Sequence, residues 1–383
     1  MRGFGSTATQ GISLPVSGCR RAGSHRPDGT RAEHGTRMGT ARTLEYGSVV
    51  DLLARLTVLG SLGMDISVTV PSLPGPGATV LGGAAVFTPG GKGGNQAVAA
   101  ARLGIAANMS VRMIGCVGDD DFGRSARAAL AEEGIDVGAV RTVPGAPTGI
   151  AMVTVDQAGE NLITVSPGAN SAVGAPEIAA VGASGPVNVL VISAEIPVTA
   201  ILAALSAVGA GSQAAGLGGV AGQPLTVLNL APAPPREEAA AVLRARPDWL
   251  VVNESEAVLG RPVGGLAEAA RAAAALVSGG ARNAVVTVGS AGAAYHAELQ
   301  TRPASGMVPA FPVHARDTVG AGDAFVGALA VALAAGIPPE EAVTAASAAG
   351  AAAATRLGTQ TALPRPADIR SATGYAWPLP AGE

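Results

Sequence analysis

The chain is expected to fold as an α/β protein, a mostly parallel sheet with helices on both faces and a small β lid, and three observations carry that expectation. Strand-like apolar runs alternate with helical ones along most of the 383 residues, a pattern that calls for crossover connections and so for parallel pairing. One hairpin-like pair of runs interrupts the alternation. Hydrophobic residues make up 48% of the chain and charged ones only 14%, enough apolar surface to bury a large core.

Residues 1 to about 54 carry Arg20, Arg21, Arg26, Arg31, Arg37 and Arg42 among Gly, Ser and Thr, with no period of 2 or 3.6. They are expected to be a disordered N-terminal extension. Asp28, Glu33 and Glu45 count against a transit peptide, and an over-extended start with Met38 or a nearby codon as the true one fits better. A single domain then spans 55–370, followed by a C-terminal tail at 371–383.

Within that domain 56–62 reads as a strand, 95–103 as an Ala-rich helix, 111–117 as a strand and 122–133 as an amphipathic helix. The runs 150–155 and 162–165, joined by a polar stretch containing Asp156 and Gly159, form the hairpin signal. That hairpin is expected to act as a lid. Alternation resumes with strands at 187–193, 225–230, 249–252 and 284–288 and helices at 197–208, 236–245 and 266–277. It ends in two Ala-rich helices, 320–335 and 339–355. The Gly- and Ala-rich run 209–222 is longer than most connections and reads as a surface insertion.

Several function classes are excluded. A net charge of −3 and 3% aromatic residues offer neither a polybasic face nor a stacking platform for nucleic acid. Cys19 and Cys116 are the only cysteines, so there is no disulfide framework, and a reducing, cytoplasmic location is expected. Asp323 and Pro338-Pro339 bracket the most apolar stretch, which leaves no run long enough to span a membrane.

Three segments carry chemistry. In Asp317-Thr318-Val319-Gly320-Ala321-Gly322-Asp323, small residues permit a sharp turn and the following helix aims its first N–H groups back into it, an anion hole able to seat a phosphate. An acid there is a natural acceptor for the proton of a hydroxyl that attacks the phosphate, or simply a helix cap. In Gly90-Gly91-Lys92-Gly93-Gly94-Asn95-Gln96 four glycines around one lysine allow backbone to approach a ligand, or serve a structural turn. This is not a P-loop, because Gly93 follows the lysine and Val86 stands where the first glycine belongs. In Asn253-Glu254-Ser255-Glu256 an amide and a carboxylate three apart at a helix start share a face, suited either to Mg²⁺ near a triphosphate or to an acidic helix cap.

In this order the three segments, with the stretches 114–123 (IGCVGDDDFG) and 229–234 (NLAPAP), resemble the ribokinase, or PfkB-type, family of carbohydrate kinases over about 57–364. The resemblance implies a ribokinase-like three-layer α/β/α sandwich with β lid segments at about 66–90 and 148–168, and ATP-dependent phosphorylation of D-ribose to D-ribose 5-phosphate. It gives Asp323 as general base and Gly320, Ala321 and Gly322 as anion hole. Asp65, Gly91, Lys92, Gly93, Asn95 and Glu195, with Asp323, would bind the sugar. Asn253, Thr287, Gly289, Gly292, Gly322 and Ser347 would face the nucleotide. Glu256 would hold Mg²⁺ through water, and Asp317, Val319, Ala353, Arg356 and Gly358 a monovalent cation, usually K⁺. The partners implied are a small-molecule sugar and ATP, without nucleic acid or membrane, in a homodimer formed through the lid.

Two positions depart from the pattern: Gly63 replaces the family's usual Asn, and Ser347 a frequent His or Asn. A kinase of another sugar or of a nucleoside remains an alternative. A non-catalytic sugar-binding protein is the reading outside the class; it would need neither Asp323 nor Glu256.

Overall fold

A computed structural model describes residues 54–158, 160–183, 187–209, 224–257, 263–299 and 303–379, all within one compact unit, Asp51–Glu383. The expected N-terminal extension up to residue 53, the Gly- and Ala-rich run from 210 and the last four residues lie outside the described residues.

In chain order the elements are β1 (Arg55–Leu59), β2 (Gly63–Val70), β3 (Val86–Gly90), α1 (Lys92–Gly104), β4 (Ser110–Gly118), α2 (Asp121–Glu132) and β5 (Asp136–Val143). Then come β6 (Gly149–Asp156), β7 (Asn161–Ser166), α3 (Ala175–Gly182), β8 (Val189–Ser193), α4 (Val198–Ala207), β9 (Leu225–Asn229), α5 (Arg236–Arg244) and β10 (Trp249–Asn253). The chain continues through α6 (Leu266–Ser278), β11 (Asn283–Val288), β12 (Gly292–Glu298), β13 (Pro303–Pro309), α7 (Ala321–Ala334), α8 (Pro339–Ala354) and α9 (Pro366–Thr373).

Among the described residues the main sheet has nine strands in the order β13-β12-β11-β10-β9-β8-β1-β4-β5. Pairing is parallel from β11 to β5, and β12 and β13 add an antiparallel end. The central strands are buried on both faces, and their side chains alternate between two cores. Val58, Val191, Val251 and Val285 face the helices α1, α7, α8 and α9. Leu59, Ile192, Val252 and Val286 face α3 to α6. This is the three-layer sandwich expected. In α7 every residue from Asp323 to Leu333 is buried, as befits a helix apolar on all sides.

Four further strands form a separate sheet, β3-β2-β6-β7, the lid that the hairpin signal announced. The strand expected over 56–62 is cut short at Leu59, since the chain turns out of the main sheet there and enters β2. Gly60 makes that exit possible: a Cβ on it would lie 2.3 Å from Ser193 Oγ and 2.9 Å from Gly93 Cα, so only glycine lets β1, β8 and the start of α1 come together.

Sequence reading also missed β5 and β13. Both are edge strands, half exposed, and β13 carries Pro303, Gly306 and Pro309, so neither shows a continuous apolar run. After residue 370, α9 runs on to Thr373 and Trp377 is buried in the core. Strand order reverses at β1, with β4 on one side and β8 on the other, and such a switch point opens a crevice at the carboxyl ends of the strands.

Candidate active site

That crevice is a cavity with two walls. Gly63, Met64 and Asp65 of β2 and parts of β6 and β7 line it from the lid; Gly91, Lys92, Asn95, Glu195, Val319, Gly320, Asp323 and Thr359 line it from the sandwich. Most of the residues expected to bind sugar and to catalyse are therefore brought together, although they span 65 to 323 in sequence. Gly93 packs behind them, where a Cβ would lie 2.7 Å from the Gly60 carbonyl carbon.

Asp323 stands in the first turn of α7, with Gly320 as N-cap at φ 80°, a left-handed conformation that glycine adopts without strain. Among the described residues the N–H groups of Gly322 and Asp323 take no protein acceptor, and a Cβ on Gly322 would meet nothing within 4 Å. Ala321, expected in the anion hole, spends its N–H on the Thr318 carbonyl at 3.2 Å, so the donors that can seat an anion at this helix N-terminus are those of Gly322 and Asp323. The Asp323 carboxylate accepts from Asn95 Nδ2 at 2.8 Å through Oδ2 and from Gln96 Nε2 at 3.0 Å through Oδ1. Gln96 Nε2 also donates to Asn229 Oδ1 at 3.0 Å, and Asn229 Nδ2 donates to the Val251 carbonyl. Burial pushes the Asp323 carboxyl above its ordinary value, opposed by the charge of Lys92 and the two amide donors. A buried carboxyl with a raised proton affinity, aimed into the cavity, is suited to accept a proton.

Lys92 forms no ion pair among the described residues, yet four carboxylates act on it. Asp323 raises its pKa most, burial works against it, and Glu195, Glu256 and Asp65 add to the rise. Its backbone N–H donates to Glu195 Oε2 at 3.1 Å, and the Ser61 hydroxyl donates to the same oxygen at 2.6 Å. Asp65 accepts from Thr359 Oγ1 at 2.7 Å. Its carboxyl is pushed up to about 6, first by burial and then by Asp323 and Glu195, against the Thr359 bond and the charge of Lys92. Among the described residues Asn95 Oδ1 is buried without a partner, an acceptor available to a ligand hydroxyl.

Of the residues expected on the nucleotide side, Asn253, Thr287, Gly289 and Gly292 lie at the ends of neighbouring strands, whereas Gly322 is in α7 and Ser347 in α8. Asn253 and Thr287 face each other across β10 and β11. The Asn253–Glu256 segment, expected as a helix start, is instead a turn: Asn253 Oδ1 accepts the N–H groups of Ser255 and Glu256, and Glu256 Oε2 accepts Asn253 N–H at 3.0 Å. The reciprocal pair is that of a capping box, and it closes a turn as readily as a helix. Burial raises the Glu256 carboxyl. A Cβ on Gly289 would lie 3.8 Å from Glu254 Oε1, whereas one on Gly292 would lie 2.1 Å from the Val308 carbonyl oxygen, a crowding that the β12–β13 pairing imposes. Ser347 is buried in α8 with no partner for its hydroxyl among the described residues, and it does not line the cavity.

Asp317 braces two turns, accepting Val319 N–H through Oδ1 and Gly358 N–H through Oδ2, each at 3.0 Å. The Ala354 carbonyl accepts the N–H groups of Arg316 and Asp317, and the Ala353 carbonyl that of Arg356. The acidic run 119–121 has its own purpose: Asp120 caps α2 through Gly123 N–H and accepts both the N–H and the hydroxyl of Thr148, anchoring the entry to β6. A side chain at Gly63 would start 2.6 Å from the Gly149 carbonyl oxygen, so an amide fits there only if β2 and β6 move apart.

Ser61, Gln96, Asn170, Asn229 and Thr359 were not expected in the site. Asn170 clamps both the N–H and the carbonyl of Leu62, at 3.0 and 2.9 Å. Gln96 and Thr359 directly follow Asn95 and Gly358 in the chain, and that adjacency was the available signal.

Comparison with known proteins agrees with this fold. The chain matches the pfkB family of carbohydrate kinases over residues 53–366. It is 35% identical to a ribokinase of Schizosaccharomyces pombe over 320 residues, covering 82% of this chain and 95% of that protein. It is 34% identical to a deoxyribokinase of Salmonella typhi over 278 residues, covering 72% and 84%. Among solved structures, the Arabidopsis thaliana ribokinase complexed with ribose and ATP superposes with a TM-score of 0.69 at 26% identity, covering 85% of this chain and all of that one. Among the described residues no helix is long and apolar enough to cross a membrane. With the fold, the order of the motifs and the matched length all in agreement, the chain belongs to the pfkB family of carbohydrate kinases.

Proposed function

We propose that this enzyme transfers the γ-phosphoryl group of ATP to the primary hydroxyl of D-ribose, giving D-ribose 5-phosphate and ADP. The observation that carries the reading is the buried carboxylate of Asp323, one turn into α7 beside two unpartnered N–H groups and across a cavity from Asp65. Base, anion seat and sugar-binding acid are thus within one pocket. Asp323 takes the hydroxyl proton as the sugar oxygen bonds to phosphorus and the bond to the ADP oxygen breaks. The Gly322 and Asp323 N–H groups steady the charge on the transferred group. Asp65, Asn95 and Glu195 hold the other hydroxyls, and the apolar lid residues exclude water.

ATP lies toward Asn253, Thr287 and Gly289. Glu256 suits Mg²⁺, being a hard carboxylate with one oxygen committed to a backbone N–H and within electrostatic reach of Lys92. Bound there through water, Mg²⁺ would neutralise phosphate charge. Asp317 suits a monovalent cation, with the carbonyls of Val319, Ala353, Arg356 and Gly358 completing the oxygen set, since its carboxylate already draws the two turns together. A homodimer through the lid is supported by Phe87, Met152, Leu162 and Val165, large apolar side chains that each stand about half exposed there. A cytoplasmic location accords with the two cysteines of the chain.

A second reading, 2-deoxy-D-ribose as acceptor, is favoured by Gly63, which supplies no side chain to a hydroxyl. ADP release measured with the purified enzyme over pentoses, 2-deoxypentoses, hexoses and nucleosides tests both. Turnover of D-ribose above all others supports the first reading, and preference for a different acceptor replaces it.

A further inference from the structure

Asp65 belongs to the lid strand β2, and its hydrogen-bond partner Thr359 belongs to the sandwich, 294 positions away. The bond is the contact that ties the sugar-binding carboxylate to the sandwich. Thr359 is itself held from both sides. Its neighbour Gly358 donates to Asp317 Oδ2 at 3.0 Å, and Arg102 Nη1 donates to the carbonyls of Gln360 at 2.8 Å and Leu363 at 2.6 Å. Arg102 is in turn paired with Glu133. Thr359 is 4% exposed and lines the cavity. Its hydroxyl is thus a fixed donor aimed at Oδ2 of a carboxylate whose other oxygen has no hydrogen-bond partner among the described residues.

We propose that Thr359 is a positioning residue that sets acceptor selectivity: its hydroxyl locks the Asp65 carboxylate in the orientation that grips two adjacent sugar hydroxyls at once. The proposal rests on the sugar-kinase reading above. A carboxylate held by one oxygen has a fixed plane, and its remaining lone pairs can meet a vicinal diol in a single geometry. Without the tether it swings. A sugar that offers both hydroxyls then loses more than one that offers a single hydroxyl, so the tether favours ribose over 2-deoxyribose.

The test uses the full chain and the variants Thr359→Val, Thr359→Ser, Asp65→Asn and the double variant Thr359→Val/Asp65→Asn. KM and kcat are measured for D-ribose and 2-deoxy-D-ribose, along with melting temperatures. Thr359→Val is expected to raise the KM for ribose about tenfold, the effect of one hydrogen bond to a charged group, with kcat within about twofold. The ribose to 2-deoxyribose ratio of kcat/KM should fall several-fold. Thr359→Ser should restore both, and Thr359→Val should add nothing once Asp65 is Asn.

An unchanged ribose KM in Thr359→Val, an unchanged ratio, or equal effects with and without the Asp65 carboxylate would each overturn the proposal. The last result covers the case in which valine merely disturbs the fold. A wild type without turnover on any sugar would instead overturn the sugar-kinase reading, and the proposal would fall with it.

Discussion

Asn95 and Asp323, 228 positions apart, meet at 2.8 Å between the Asn95 amide nitrogen and one carboxylate oxygen. That contact joins the glycine-rich start of α1 to the first turn of α7, the two helix termini that face the crevice. Gln96 takes the other carboxylate oxygen, so both oxygens of the acid are oriented by amides from one helix. Burial raises the proton affinity of Asp323, while Lys92 and the two amides work in the opposite direction and favour its charged form.

Replacing Asp323 by Asn should remove the proton acceptor while leaving the packing of α7 intact. We expect kcat to fall by about 10²–10⁴-fold, with sugar affinity changed far less. Steady-state kinetics combined with calorimetric titration of the sugar checks this. A variant within a few-fold of wild type would mean that another group takes the proton.

Acidity should weaken sugar binding through Asp65. Its carboxyl is raised to about 6, so it is ionised above that pH and protonated below it. If the charged form is the better acceptor for sugar hydroxyls, kcat/KM falls as pH drops through about 6, approaching tenfold per unit where this single protonation governs binding. Asp65→Asn should flatten that limb and lower its plateau. An acid limb unchanged in the variant would assign the titration to a different group.

Cation dependence should trace to Asp317. We expect initial rates several-fold higher in potassium than in tetramethylammonium, and Asp317→Ala should abolish the difference. The variant also loses both backbone bonds that join the turn at 319 to the turn at 358, so its rate in either salt should be low. Equal wild-type rates in the two salts would remove the cation from the site.

Asp120 should prove structural. Its carboxylate accepts three bonds, from Gly123 N–H, Thr148 N–H and the Thr148 hydroxyl. Asp120→Ala should destabilise the protein by about 1–3 kcal/mol, the combined effect of a lost cap and of buried donors left unmatched. Denaturant melts would register that loss, while kcat stays within a few-fold. A collapse of kcat at full stability would instead move Asp120 into the catalytic machinery.

Local pattern alone was enough to read the alternating strands and helices, the hairpin of the lid and the three glycine- and acid-bearing segments, because each depends on residues close in the chain: apolar period, turn-forming glycines, an acid at a helix start. It also places Asp323 at a helix N-terminus, whose first N–H groups have no partner within the helix. The tertiary structure alone decided the rest. Edge strands β5 and β13 carry too little apolar pattern to announce themselves. The Asn253–Glu256 pair closes a turn where a helix was expected, since reciprocal side-chain bonds satisfy either backbone. Thr359 gains its meaning only when Asp65, from the far end of the chain, arrives 2.7 Å away. Hydrogen bonds between distant segments leave no periodic trace in sequence, because their partners become neighbours only when the sheet order and the lid fold are complete.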